Sequence, residues 1–184
     1  MSALKRIVLI VITLLYPLAV YFGLQHFDPR HLVLLLIAIA IIRLSTLEKS
    51  PLNHWFWIPL LSLLGIWTWW FNTPLGLKIY PVLVSASFLV LFLWSLKSPP
   101  SMIERIARLQ DPDLPEQGVR YTRQVTKVWC AFFALNGLTA LLITLLGSDS
   151  LWALYNGLIS YLLMGTLFAG EWLVRQRVMK NAHE

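Results

Sequence analysis

The sequence is dominated by apolar runs that are long enough to cross a lipid bilayer. The first, residues 7–24, contains no charged residue. As an α-helix it would extend about 27 Å, close to the ~30 Å thickness of a bilayer's hydrocarbon core. Inside lipid the backbone has no water to bond, so an apolar run of this length is expected to form a helix. These runs predict an integral membrane protein built from α-helices.

Composition and charge support this class of protein. Hydrophobic residues make up 58% of the 184 residues and charged residues only 13%, against about 25% charged in soluble domains. The net charge of +6 comes from basic residues that flank the apolar runs instead of forming one stripe, which argues against a nucleic-acid partner. Cys130 is the only cysteine, so neither an intramolecular disulfide nor a cysteine metal cluster is expected.

Six apolar runs predict six transmembrane helices. They cover approximately residues 7–24, 31–47, 55–71, 79–96, 125–146 and 151–174. The predicted fold is all-α, a polytopic transmembrane helical bundle that forms a single membrane domain over residues 1–184. Pro17 is expected to kink the first helix because it removes a backbone donor.

The distribution of Lys and Arg predicts the orientation of this bundle. With the N-terminus in the cytoplasm, thirteen basic residues lie on the inner side and only two, Arg30 and Lys78, on the outer side. The inner residues are Lys5, Arg6, Arg43, Lys49, Lys97, Arg105, Arg108, Arg120, Arg123, Lys127, Arg175, Arg177 and Lys180. The positive-inside rule therefore predicts that both chain ends are cytoplasmic.

One sizeable polar segment, residues 97–124, separates the fourth and fifth predicted spans. Ser101 and Glu104 have the spacing of a capping box, which predicts a short amphipathic cytoplasmic helix with Met102, Ile103, Ile106 and Leu109 on its apolar face. That face is suited to the membrane surface. Asp113 is then a predicted N-cap for one long helix over about residues 114–146.

Basic residues of this segment form a candidate site for an anion or an acidic partner. Arg120, Arg123 and Lys127 have the i, i+3, i+7 spacing that places side chains on one helix face, and Arg105 and Arg108 could approach them from the amphipathic helix. A phosphate headgroup, a phosphorylated lipid carrier or an acidic cytosolic protein would be attracted to such a face. The alternative is that these residues only anchor the helix at the inner membrane surface.

Among the polar residues within the predicted spans, the candidates for a functional role are Asn136, Asn156 and Glu171. An unpaired amide is costly in lipid, so Asn136 is expected to face protein. Small residues near Asn136 and on the sixth run predict close packing of the fifth and sixth spans. Glu171 is expected to pair with Arg175 at i+4.

No catalytic constellation is evident. His26, Asp28 and His31 could bind a metal, but two histidines and one carboxylate on a loop are weak evidence. The sequence contains no Walker loop, nucleophile elbow, HExxH or dinucleotide glycine motif. No catalytic residue, metal or cofactor is therefore predicted.

The segment PPSMIERIARLQDPDLPEQGVRYTRQVTKVWCAFFALNG, residues Pro99–Gly137, resembles a family of small bacterial inner-membrane proteins, and Tyr16, Pro17 and Tyr21 fit the same pattern. The close match covers roughly a quarter of the chain. Genes of this family lie beside aryl-polyene or xanthomonadin-type pigment genes, among acyl carrier proteins, ketosynthases and acyltransferases. The resemblance implies a multi-pass protein of the bacterial inner membrane, where acyl chains are built, attached to lipid or exported.

Three functions follow as expectations. The favoured one is a non-enzymatic accessory protein that contacts membrane lipids and docks an acidic acyl carrier protein or an acyltransferase. Its acting surface would be the five basic residues Arg105, Arg108, Arg120, Arg123 and Lys127. The alternatives are a lipid or polyene transporter lined by residues such as Asn136, and a membrane-embedded enzyme acting on acyl chains.

Overall fold

All regular structure in the described part of the chain is helical. The computed structural model describes residues 3–34, 37–38 and 62–181, and the side chains of residues 15–34, 37–38 and 62–176. The helices are α1 (Ala3–His26), α2 (Leu75–Lys78), α3 (Tyr80–Lys97), α4 (Met102–Ala107), α5 (Glu116–Leu146), α6 (Asp149–Leu154) and α7 (Ser160–Asn181). A π-helical turn, Tyr155–Ile159, joins α6 to α7, and residues 29–34, 37–38 and 62–71 are also helical. The all-α prediction is confirmed for these residues.

Three helical stretches are long and apolar enough to cross a membrane, judged by length and composition. They are Leu75–Lys97, Glu116–Leu146 and Asp149–Gln176, and they contain the predicted runs 79–96, 125–146 and 151–174. Residues 7–24 lie within α1, which continues through Pro17. The predicted spans 31–47 and 55–71 lie largely outside the described residues.

The chain divides into two compact units. The first comprises Met1–Tyr80 and Ile143–Leu158, and the second comprises Pro81–Leu142 and Ile159–Glu184.

In the first unit, side chains satisfy the carbonyls at the end of α2. The Tyr16 hydroxyl donates to the Leu77 carbonyl at 2.8 Å, and Trp152 Nε1 donates to the Lys78 carbonyl at 3.1 Å. The Lys78 ammonium group, which is largely buried, pairs with the Asp149 carboxylate. The last carbonyls of a helix have no partner within the helix, so these bonds fix α2 in place.

The connection between the predicted spans 55–71 and 79–96 is partly helical. Asn72 adopts a φ of 50°, a left-handed conformation that asparagine tolerates and that breaks the helical path before α2. Gly76 follows, and a Cβ there would lie 2.1 Å from Thr68 Oγ1 and 2.8 Å from the Leu64 carbonyl oxygen. Only glycine allows the backbone at position 76 to lie so close to Thr68 and Leu64.

In the second unit, an aromatic cluster joins α3, α5 and α7. Its buried members are Phe92, Val125, Trp129, Cys130 and Phe133. The ring centroid of Trp129 lies 4.5 Å from that of Phe168 on α7, and Phe133 lies 5.2 Å from Phe92 on α3. Aromatic pairs at such distances add about 0.5–1.5 kcal/mol each beyond the burial of their area.

The N-terminus of α4 is held by side chains from neighbouring helices. The Met102 amide donates to Ser95 Oγ of α3 at 2.9 Å, and the Ile103 amide donates to Thr126 Oγ1 of α5 at 3.3 Å. The Ser101 amide donates to Glu104 Oε2 at 3.2 Å, which is the carboxylate half of the predicted capping box. The predicted start of this helix is confirmed.

The predicted apolar face of α4 is only partly correct. The helix ends at Ala107, so Leu109 lies beyond it. Met102 and Ile103 pack against the aromatic cluster, but Glu104 is buried, and Ile106 and Leu109 are 52% and 84% exposed. The burial of Glu104 follows from its pairing with Arg108, which compensates the charge. The next helix, α5, begins at Glu116, two residues after the predicted start.

The glycines of the fifth and sixth runs do not bring these two runs together. A Cβ on Gly137 would lie 3.1 Å from Ser85 Cβ, so this glycine packs against α3. Gly157 faces Leu18 of α1, and Gly165 has no neighbour within 4 Å. Helices α5 and α7 instead meet through Trp129 and Phe168.

Candidate functional site

The first turns of α5 carry two opposite faces. Thr122, Val125, Thr126 and Trp129 are buried and form the packed face, which contacts α4 at Thr126. Arg120, Arg123 and Lys127 are exposed on the other side of the helix, as their spacing requires. We call these three residues the basic face.

Few acidic side chains of the described residues neutralise the positive charges of the basic face. Arg120 Nη1 lies 3.7 Å from Glu116 Oε2, and both side chains are exposed, so this pair contributes little. Within the described part of the chain, Arg123 and Lys127 form no ion pair and no side-chain hydrogen bond. Two positive charges are therefore available to an anionic partner.

Arg105 and Arg108 are engaged with the polar segment itself. Arg105 donates to the carbonyls of Pro100 at 2.8 Å and Ser98 at 3.2 Å. Arg108 pairs with Glu104 at 2.9 Å and donates to the Pro112 carbonyl at 2.9 Å. These bonds hold the loops on either side of α4.

Because α4 lies against the packed face of α5, the structure does not place Arg105 and Arg108 together with the basic face. Their bonds to backbone carbonyls indicate a structural role. Of the five predicted binding residues, Arg120, Arg123 and Lys127 are the ones that share an exposed face.

A cavity of about 480 Å³ lies among α4, α5 and α7 in the second unit. Its walls are mostly apolar and include Ile103, Ile106, Val125, Trp129, Phe168 and Trp172. Three small residues, Ala107, Gly118 and Ala169, leave the space that larger side chains would fill. The volume falls in the range of about 300–1,000 Å³ typical of small-molecule sites.

Polar groups line one part of this cavity. Asp111, Tyr121, Glu171 and Arg175 all contribute. The Tyr121 hydroxyl is within 3.4 Å of Glu171 Oε1, and Arg175 Nη2 donates to Gln110 Oε1 at 3.1 Å. The predicted ion pair of Glu171 with Arg175 is wrong, since each side chain takes a different partner from another segment of the unit.

The two asparagines are used in helix packing. Asn136 Nδ2 donates to Ser85 Oγ of α3 at 3.1 Å, so Asn136 faces protein as predicted. Asn156 is buried in the first unit, where its Nδ2 donates to the Trp152 carbonyl at 3.0 Å beside the π-helical turn.

The described residues include no group of three or more His, Cys, Asp and Glu side chains that could hold a metal ion. His26 and His31, considered above as metal ligands, are both exposed. His26 Nδ1 lies 3.0 Å from the Phe22 carbonyl oxygen within its own helix.

The cavity and the buried Lys78 were not anticipated from the sequence. The sequence assigns Lys78 to the outer side of the membrane but gives no sign that its side chain is buried against Asp149. The cavity depends on Ile106, Trp129 and Phe168, which are far apart in the chain. The available signal was the group of small residues at positions 107, 118 and 169, each next to long apolar or aromatic residues.

The chain matches no protein-family model, no curated protein and no solved structure.

We expect the contact of Asn136 with Ser85 to stabilise the second unit. Each single substitution, Asn136→Ala or Ser85→Ala, should lower the free energy of unfolding. In a double-mutant cycle the two should be coupled by about 0.6 kcal/mol, and at most about 1.7 kcal/mol, the range measured for hydrogen bonds between membrane helices. Reversible unfolding in mixed micelles measures these energies, with Thr139→Ala on the same helix as the control. Fully additive effects would contradict the contact.

Proposed function

We propose that this chain is a multi-pass accessory protein of the bacterial inner membrane that docks acidic cytosolic proteins of acyl-chain synthesis. In this proposal six helices cross the membrane, both chain ends are cytoplasmic, and residues 97–124 lie on the cytoplasmic side. The count of thirteen basic residues against two supports this orientation. The resemblance of Pro99–Gly137 to the inner-membrane family supports the acyl-chain setting.

The observation that carries the proposal is the exposed pair Arg123 and Lys127. These cations stand at the polar end of a helix that is apolar enough to cross a membrane, and they have no partner within the described part of the chain. The packed face of α5 holds them on a rigid helix, so little ordering is needed when a partner binds.

Acyl carrier proteins are acidic, and a positive face beside the bilayer attracts them by long-range electrostatics. Such attraction raises the association rate more than it raises the affinity. This suits a partner that binds transiently.

Docking is favoured over transport because of how the polar residues of the helices are used. A transport path needs polar groups that are free to meet cargo. The Asn136 side chain donates to Ser85, and the buried Asn156 side chain donates to the carbonyl of Trp152, so both amide groups already have partners within the protein.

The proposed orientation can be tested with single cysteines. In a Cys130→Ser background, Arg30→Cys and Ser150→Cys should react with a membrane-impermeant maleimide on intact cells whose outer membrane has been opened. Asp113→Cys should react only after the inner membrane is permeabilised. All three positions lie in exposed, polar parts of the chain. Reaction of Asp113→Cys in intact cells would contradict the orientation.

Docking can be tested on the purified protein in nanodiscs of zwitterionic phospholipid. We expect Arg123→Ala with Lys127→Ala to weaken binding of an acyl carrier protein about tenfold. Each exposed ion pair is worth up to about 1 kcal/mol, and about 1.4 kcal/mol is a factor of ten. Binding should also weaken as salt is raised from low to physiological concentration.

The matched control compares two single variants that each remove one exposed arginine. Arg123→Ala should weaken binding several-fold, whereas Arg30→Ala, on the opposite side of the membrane in this proposal, should leave it unchanged. An equal effect of the two variants, or an unchanged dissociation constant in the double variant, would contradict docking at the basic face.

A further inference from the structure

The cavity of the second unit has the features of a binding site for an amphiphile. Its volume is about 480 Å³, and six of its wall residues are Ile, Val, Phe or Trp. Ile106 is 52% exposed and Trp172 is 57% exposed, so the walls present apolar area that a ligand would cover. Burying that area is the main driving force for a hydrocarbon ligand.

The polar part of the cavity carries mixed charge. Asp111 and Glu171 provide two carboxylates, and Arg175 provides one guanidinium. Arg175 donates a hydrogen bond to Gln110, and Glu171 accepts one from the Tyr121 hydroxyl. A ligand with a phosphate or carboxylate end would meet more negative than positive charge, so this end of the cavity disfavours anions.

An uncharged polar end suits these groups better. The carboxylates accept hydrogen bonds and the guanidinium donates them. An amide has an N–H that can donate to a carboxylate and a carbonyl that can accept from the guanidinium, and it brings no charge. A bilayer phospholipid, whose headgroup contains a phosphate, fits less well.

We propose that this cavity binds one unbranched acyl or alkyl chain whose polar end is an uncharged amide. The chain lies along Trp129, Phe168 and Trp172, and its polar end reaches Asp111, Glu171 and Arg175. The site does not rest on the proposed docking function, because its α5 residues belong to the packed face, opposite the basic face.

Chain length gives a first expected result. Each methylene moved from water into an apolar site strengthens binding by about fourfold. Affinity for a series of alkyl amides should therefore rise steeply with length and then level off when the cavity is full. Simple partition into the bilayer would show no such limit.

The direct experiment uses an N-alkyl amide probe with a twelve-carbon chain that carries a diazirine. The full-length protein is held in nanodiscs of zwitterionic phospholipid, irradiated, and digested for mass spectrometry. We expect labelling of peptides that contain Trp129, Phe168 or Trp172, and we expect an excess of the same amide without the diazirine to suppress it.

Two variants separate the cavity from general contact with lipid. Ala169→Trp places a large ring where a small wall residue now leaves space, and should reduce suppressible labelling about tenfold. Leu173→Trp changes an exposed residue of the same helix that does not line the cavity, and should leave labelling unchanged. Equal labelling in the parent and Ala169→Trp, or labelling that the amide does not suppress, overturns the proposal.

Charge selectivity is tested with the same chain ending in a carboxylate or a phosphate. Both should label the parent protein at least several-fold less than the amide does. In the double variant Asp111→Asn with Glu171→Gln, labelling by the carboxylate probe should approach labelling by the amide probe. If the phosphate probe labels the parent as strongly as the amide, the site holds bilayer phospholipid and the proposal is wrong. Because the basic face is unchanged in these variants, binding of the acyl carrier protein is measured in parallel and reports on docking separately.

Discussion

The second unit depends on how the N-terminus of α4 is held by two hydroxyl groups. The first amides of a helix have no partner within it, and burying them unbonded costs about 1–3 kcal/mol each. Ser95 of α3 accepts from the Met102 amide, and Thr126 of α5 accepts from the Ile103 amide. Both hydroxyl groups are fully buried. The polar segment is thereby folded onto α5 in one position.

Because α4 lies against one side of α5, the two sides of α5 differ. On the packed side, α4 and α7 enclose the cavity with Trp129 in its wall. On the other side, Arg123 and Lys127 remain exposed. One helix therefore combines a proposed docking surface with a proposed chain-binding cavity. The two proposals use different faces of α5, so they remain independently testable.

Local features of the sequence were enough to predict the helices but not their partners. Apolar runs at residues 79–96, 125–146 and 151–174 correspond to helices, and the spacing of Ser101 and Glu104 placed the start of α4. These are short-range effects of hydrophobicity and capping. The bond between the Ile103 amide and Thr126 joins residues 23 positions apart, and the cavity brings Ile106 together with Trp129 and Phe168. Glu171 was expected to pair along its own helix, but tertiary packing gave it Tyr121 instead.

Hydrogen exchange of the amides in residues 99–110 tests the central claim most directly. The full-length protein in nanodiscs is compared with Thr126→Val, which removes the accepting hydroxyl and nearly preserves side-chain shape. If α4 is held as described, this segment is protected from exchange in the parent. In Thr126→Val the Ile103 amide of α4 should lose protection, whereas the amides of α5 should keep theirs. Exchange of the parent segment at the rate of an unstructured peptide, or equal protection of Ile103 in both proteins, would contradict the account.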